Sequence, residues 1–197
     1  MNKIGFFLLL LATKLLFAQE KNVGDFNKVT AFDQIDVMLI PSDENKVILN
    51  GSGSDEVELI NKNGELKIRM PLTKLLKGDD ISATVYYTKI DAVEANEGSR
   101  IASESVVESA DFNIITKEGS VIELTLDVEN LNLKMSDGSK VSLKGKAAHQ
   151  EVVINSGSIY QAKTLLTQKT TITSNTGAEG FINAEDYVDA KVRAGGK

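Results

Sequence analysis

A four-residue turn motif recurs through the second half of the chain at a nearly constant spacing. Its glycines, from Gly98 to Gly195, are separated by 21, 19, 19, 20 and 18 residues. A repeat near 19 residues is shorter than a helix pair or a propeller blade, which need about 33 residues or more. The spacing therefore predicts the coils of a β-solenoid. The motif lies at residues 96–99, 117–120, 136–139 and 155–158 and, in degenerate form, at 175–178 and 193–196.

Apolar residues keep one register relative to these glycines. Residues two apart on a strand point to the same face, so each coil sends alternate side chains inward. We therefore predict an all-β fold, a right-handed parallel β-helix of about five turns over residues 81–197. The alternative is a flat antiparallel sheet of hairpins, which the single register disfavours. The position five residues before each glycine is occupied by Val93, Ile114, Leu133, Val152, Ile172 and Ala190.

The turn residues themselves follow from backbone geometry. Glycine adopts positive φ without steric cost, which a tight corner requires. Serines follow the glycines at positions 99, 120, 139 and 158. We expect these serines to stack as a ladder and to bond backbone groups of the turns, because serine hydroxyls commonly do so.

Residues 26–72 indicate a different kind of β-structure. Short runs rich in β-branched residues alternate with turn residues, and Asn63-Gly64 is a strong hairpin signal. We predict that this segment is an antiparallel cap on the N-terminal end of the solenoid, where it would cover exposed strand edges. A charged connection with a short helix is expected over residues 71–80. A strand is expected over residues 81–90.

The first 18 residues have the layout of a secretory signal peptide. A positive start at Met1–Lys3 precedes an apolar run, and Ala18 is the predicted cleavage position. A permanent anchor is the alternative, but the run is too short to span ~30 Å of hydrocarbon. We expect residues 19–197 to form a single domain that is exported to the periplasm, the outer surface or the medium.

Composition excludes several functions. The net charge of −6 and the pI near 5.0 argue against nucleic acid and anionic membranes as partners. Tryptophan is absent, so no obvious platform for stacking bases or sugars exists. The chain has no cysteine, which excludes disulfides, thiolate metal sites and a lipoprotein anchor.

Candidate catalytic residues are few. His149 is the one histidine, and Glu151 and several serines lie near it in sequence. A serine triad needs a histidine held between a carboxylate and a nucleophile, and no nucleophile-elbow motif surrounds His149. We therefore interpret His149 as solvent-facing or hydrogen-bonded. No catalytic residue is predicted.

The sequence predicts neither a metal site nor a lyase active site. Calcium-binding β-rolls use G-G-x-G-x-D repeats, whereas the turn at residues 136–139 offers a single carboxylate, Asp137. The acidic pairs at 79–80 and 185–186 are interpreted as solvated. Polysaccharide lyases share the β-helix scaffold, but Arg100 and Lys140 alternate in phase with Val121 and Ile159, so no cationic site results. We predict neither a metal nor a cofactor.

These features together resemble a known family. An exported leader, an opening strand at 26–29, a hairpin ending in Leu66-Lys67-Ile68 and a series of Gly-Ser turns are similar to the putative auto-transporter adhesin, head GIN domain family, which is abundant in Bacteroidetes. The resemblance covers residues 26–197. It implies a β-helical envelope or secreted protein with a role in adhesion. The turns depart from the family's usual S-G-S-G, and a G-N-P-like close after the last glycine is missing.

We therefore expect a non-enzymatic protein that acts through its surface, in adhesion or contact with a glycan or a surface protein. A carbohydrate-active enzyme on the same scaffold and a self-assembling envelope module are the alternatives. The last coil opens at the C-terminal end, where an exposed edge recruits other chains. Either this edge pairs with another subunit, giving a homo-oligomer, or the gene product continues beyond residue 197. No stable membrane insertion is expected after signal cleavage.

Overall fold

The computed structural model describes residues 19–197, which form thirteen strands and two short 3-10 helices. The predicted signal peptide over residues 1–18 lies outside the described residues. Within residues 19–197, no helix is long and apolar enough to cross a membrane. The strands are β1 Gln19–Asn22, β2 Lys28–Ala31, β3 Asp36–Pro41, β4 Lys46–Gly51, β5 Glu58–Lys62, β6 Glu65–Arg69, β7 Ile81–Tyr87, β8 Ala92–Ala95, β9 Arg100–Thr116, β10 Val121–Met135, β11 Lys140–Ile154, β12 Ile159–Ser174 and β13 Glu179–Val192; the helices are Ser54–Glu56 and Leu72–Lys74.

Strands β9 to β13 stack in parallel, each on the next, as the coils of a β-solenoid. The predicted apolar column is confirmed, because Ile114 pairs with Leu133, Leu133 with Val152, and Val152 with Ile172. All four of these side chains are buried. The alternative of antiparallel hairpins is wrong. The right-handed sense of the coil stays a prediction.

A ladder of backbone hydrogen bonds joins the corners of successive coils. From Gly98 to Gly177, the glycine N–H of each corner donates to the carbonyl of the residue before the next glycine, as from Gly119 to Asp137 and from Gly138 to Ser156, both 2.9 Å. Both central residues of each corner have positive φ, as at Asp137 (58°) and Gly138 (71°). This conformation twists the chain sharply, and glycine at the second position avoids the steric penalty there.

The stack continues into the N-terminal region, where the expected antiparallel cap is only partly right. β2 pairs in parallel with both β6 and β8, and β3 pairs in parallel with β7 and β9. The corner between β2 and β3 is Asp33-Gln34, with φ of 60° and 66°, and Gln34 N–H donates to Glu97 O at 3.0 Å. This segment is therefore a coil of the same kind, without a glycine.

The antiparallel pairs lie at the outer edge of this end of the molecule. β4 pairs with β7, β1 pairs with β4, and the predicted hairpin at Asn63-Gly64 joins β5 to β6. The connection over residues 71–80 contains the short helix Leu72–Lys74. The buried carboxylate of Asp33 holds this connection, because it accepts hydrogen bonds from Met70 N–H (2.9 Å) and Leu76 N–H (2.8 Å).

Candidate ligand-binding cleft

A broad cleft of about 770 Å³ lies where the β5–β6 hairpin meets the first coils of the solenoid. Three distant segments meet there, because β6 and β8 both pair with β2. Nine of its twelve wall residues are polar or charged, and none is aromatic. They are Asn27, Lys28, Ile60, Lys62, Asn63, Gly64, Glu65, Lys67, Arg69, Asp91, Ala92 and Asn113.

An ion-pair network forms the floor of the cleft. Lys28 Nζ lies 2.9 Å from a carboxylate oxygen of Glu65 and 2.6 Å from one of Glu94. Thr30 Oγ1 donates to Glu65 Oε1 at 2.6 Å, and Lys67 Nζ lies 3.4 Å from Glu65 Oε2. These side chains come from β2, β6 and β8, so the network ties three parallel strands together across the face of the coil.

Partial burial of this network shapes its pKa values. Burial alone would raise the pKa of Glu65, but the hydrogen bond from Thr30 and the ion pairs with Lys28 and Lys67 lower it to about 2. Burial alone would lower the pKa of Lys28, but its contacts with Glu94 and Glu65 raise it above the ordinary value. Both groups therefore stay charged at neutral pH, and their orientation is fixed by their partners.

Exposed amide groups surround this floor. Asn27 Nδ2 donates to Asp91 Oδ2 at 3.2 Å, and Ser109 Oγ donates to the other oxygen of Asp91 at 3.2 Å. Partial burial opposes ionisation of Asp91, but Lys89, Asn27 and Ser109 lower its pKa below the ordinary value. Asn113 is exposed at the edge of the cleft. The rim thus offers both donors and acceptors of hydrogen bonds.

Four cationic side chains line the cleft, and three of them, Lys28, Lys67 and Arg69, are paired with acids. Arg69 pairs with Glu58 at 2.8 Å, and Lys28 pairs with two carboxylates. Because these three cations each face an acid, the cleft is not suited to a polyanion. Neutral ligands rich in hydroxyl groups match it better, since a hydroxyl both donates and accepts.

The residues weighed for catalysis are dispersed. His149 is exposed on the outer face, in register with Asn130 and Lys169, as the interpretation of a solvent-facing histidine expected. In the stack of coils, Val121 lies between Arg100 and Lys140, and Ile159 lies next to Lys140. This order is the one predicted from their shared position after the glycines. The Arg100 guanidinium contacts the carboxylates of Asp36 and Glu123, so it is neutralised.

The acidic residues are dispersed in the same way. Asp137 lies exposed at a corner, and the pairs at 79–80 and 185–186 are exposed. Throughout residues 19–197, no group of three or more His, Asp or Glu side chains is placed to hold a metal ion.

The serine ladder is buried and structural. Ser99, Ser120, Ser139 and Ser158 each have a relative exposure of 0%. Ser99 Oγ donates to the carbonyl of Ala31, and Ser158 Oγ donates to that of Asn155. A glycan in solvent cannot reach these hydroxyls, so the ladder is not a binding surface.

The parallel stack of coils over β9 to β13, continued by β2 and β3, defines the class of the chain as a β-solenoid. The chain belongs to the family described as putative auto-transporter adhesin, head GIN domain, which matches residues 25–197. No curated protein matches the chain by sequence.

Solved structures share the fold at low sequence identity. A putative adhesin from Bacteroides fragilis NCTC 9343 has a TM-score of 0.84 and 17% identity, covering 92% of this chain and 86% of that one. A putative lipid binding protein from Parabacteroides distasonis ATCC 8503 has a TM-score of 0.67 and 10% identity, covering 92% and 94%. A putative adhesin from Parabacteroides merdae ATCC 43184 has a TM-score of 0.66 and 13% identity, also covering 92% and 94%.

Sequence reasoning missed the cleft because its walls come from segments far apart in the chain. Lys28, Glu65 and Ala92 lie in three strands that become neighbours only through the parallel pairing of β2 with β6 and β8. One signal was available. Val29 lies five residues before Gln34, at the spacing of the apolar column before each glycine, so the first coil could have been recognised without its glycine.

Proposed function

We propose that this chain is a non-enzymatic, exported adhesion protein that binds glycans in the cleft beside the β5–β6 hairpin. The observation that carries the proposal is the cleft itself, in which fixed donors and acceptors alternate around an ion-paired floor. Sugar hydroxyls form hydrogen bonds of both kinds, and a preorganised site loses little entropy when they bind. The family's description as an adhesin supports the same reading.

The absence of aromatic walls shapes the expected affinity. Without a ring for a sugar to stack on, binding rests on hydrogen bonds exposed to solvent. A single cleft is therefore expected to bind weakly. Adhesion would then depend on several copies engaging a surface at once, because linked weak sites gain avidity.

A glycan array probed with labelled residues 19–197 tests the proposal. The cleft variant is the double change Lys67→Ala and Asn113→Ala, which leaves the Lys28–Glu65 floor in place. The matched control is Lys134→Ala with Asn132→Ala, because both residues are exposed on the same face of the coils and outside this cleft. Both variants remove the same functional groups.

The expected result is binding by the wild type and the control, and binding weakened roughly tenfold or more in the cleft variant, about the loss of one good hydrogen bond. Equal weakening in both variants, or no glycan bound by the wild type, would contradict the assignment of the cleft. Incubation of the wild type with the bound polysaccharide tests the non-enzymatic part. Release of shortened or unsaturated sugars would overturn it.

A further inference from the structure

Strand β13, the last strand of residues 19–197, has apolar side chains that no further coil of the described chain covers. Val188, Ala190 and Val192 of β13 lie in register with Thr170, Ile172 and Ser174 of β12. The β12 residues are only 0%, 7% and 2% exposed, whereas Val188 is 47% exposed and Val192 is 57% exposed. Within residues 19–197, β13 is therefore the last layer of the interior column, and its apolar side chains are exposed.

The backbone of β13 also presents hydrogen-bonding groups on the side away from β12. β13 is the terminal strand of the sheet that residues 19–197 form. Arg193 N–H donates to Ser174 O at 2.9 Å, so residue 193 faces β12. Because backbone groups alternate along a strand, residues 188, 190 and 192 direct their N–H and C=O groups away from β12. Such an edge is a template for another strand.

We propose that a second copy of this chain covers this end, with the two β13 strands antiparallel about a twofold axis at Ala190. This register places Val188 opposite Val192 of the second copy on the interior face. On the outer face it places Asp189 opposite Lys191 of the second copy. Each of these pairs occurs twice, because a twofold interface is self-complementary.

A third pair supports the same register. Tyr187 falls opposite Arg193 of the second copy, where a guanidinium can stack on the phenol ring. Tyr187 is 56% exposed in the single chain, so the contact would bury an aromatic surface that is otherwise solvated. Charge, aromatic and apolar residues are all matched in one alignment.

Neighbouring registers are less favourable. Moving the axis by one residue toward the N-terminus places Asp189 opposite its own copy. Moving it by one residue toward the C-terminus places Lys191 opposite its own copy. Like charges directly opposite each other on paired strands are destabilising, so the axis at Ala190 is selected against both.

Pairing of two β13 strands would fix where the two clefts lie in the dimer. The pairing itself does not rest on the proposed function. The cleft beside the β5–β6 hairpin lies at the N-terminal end of the stack, and β13 lies at the other end. A tail-to-tail dimer therefore carries one cleft at each end. Two clefts on one particle would raise avidity for a repetitive surface.

Sedimentation equilibrium of residues 19–197 over a range of concentrations tests the proposal. The wild type is expected to form dimers and no larger species. Asp189→Lys alone and Lys191→Asp alone each replace two opposite-charge pairs with like-charge pairs, and each is expected to weaken the dimer roughly tenfold or more. The double variant restores opposite charges across the axis, so it is expected to recover the dimer.

Ala190→Pro provides an independent variant. Its lost N–H faces away from β12, so the fold should tolerate the proline while the strand pairing is blocked. Circular dichroism checks that each variant keeps its β-structure. A strictly monomeric wild type, a dimer that survives Ala190→Pro, failure of the double charge swap to recover association, or open-ended polymers would each overturn the twofold pairing.

Discussion

Replacing Gly145 with alanine is expected to destabilise the solenoid far more than replacing Gly138. Gly145 lies within β11, in register with Leu126 of β10, and has a φ of 96°. A Cβ atom at this position would lie 2.1 Å from the carbonyl oxygen of Leu126. That oxygen belongs to the backbone of a central strand, so it cannot move aside as a side chain would. The two coils must separate locally.

The magnitude follows from two contributions. Positive φ in a residue with a Cβ costs about 1–2 kcal/mol, and forcing a packed backbone apart costs about 1–3 kcal/mol. Gly145→Ala is therefore expected to lower the free energy of unfolding by about 3 kcal/mol. Gly138 has a φ of 71°, but a Cβ there would meet nothing within 4 Å. Gly138→Ala therefore retains only the first contribution, about 1–2 kcal/mol.

Urea denaturation followed by far-UV circular dichroism measures both variants. In a chain of this length each kcal/mol lowers the melting temperature by about 2–4 °C, so thermal melts should separate the two alanine variants clearly. Equal losses of stability in the two variants would contradict the role assigned to the close approach at Gly145. A larger loss in Gly138→Ala would contradict it as well, because the close approach to Leu126 would then be without consequence.

Three further predictions concern buried and ion-paired groups. Ser139→Ala is expected to lower the free energy of unfolding by about 1 kcal/mol, because its hydroxyl donates to Thr116 O. Ser120→Ala should change it little, since Ser120 Oγ has no hydrogen-bond partner within the described chain; equal losses in urea denaturation would refute this contrast. Asp33→Ala removes the acceptor of two backbone N–H groups and is expected to lower the free energy of unfolding by about 3 kcal/mol. It should also expose residues 70–76 to limited proteolysis, and unchanged cleavage would count against the anchoring role of Asp33. The pKa of Glu65 is about 2 in the folded chain against an ordinary 4.5, so the ionised carboxylate stabilises the fold above pH 4.5 and this stabilisation is lost as the pH falls toward 2. Glu65→Gln should therefore flatten the dependence of the free energy of unfolding on pH in that range. An unchanged slope in urea denaturation at several pH values would contradict the assignment.

The repeated coils could be predicted from the sequence because core and corner share one period. Ile114, Leu133 and Val152 stand at a fixed distance before their glycines, and the parallel register follows that distance. Glycine marks the corners because their backbone requires positive φ. Local pattern and global fold agree throughout β10 to β12, so the repeat alone was sufficient to predict these coils.

The N-terminal arrangement could not be predicted in the same way. Asp33 and Gln34 adopt the corner conformation without a glycine, so the first coil lacked its marker. The coil formed by β6 and β7 lies outside the one formed by β2 and β3, although it follows it in sequence. Such an order depends on long-range pairing. The cleft was hidden for the same reason, because it exists only once these strands are neighbours.

Chemical-shift mapping shows where on the molecule a glycan binds. Isotope-labelled residues 19–197 would be titrated with the glycan that binds best on the array, and amide shifts would be followed by NMR. Binding in the cleft is expected to give saturable shifts centred on Lys28, Lys67 and Asn113, with the amides of β13 unaffected. Shifts centred on the corner turns or on β13, or no shifts at saturating glycan, would contradict it.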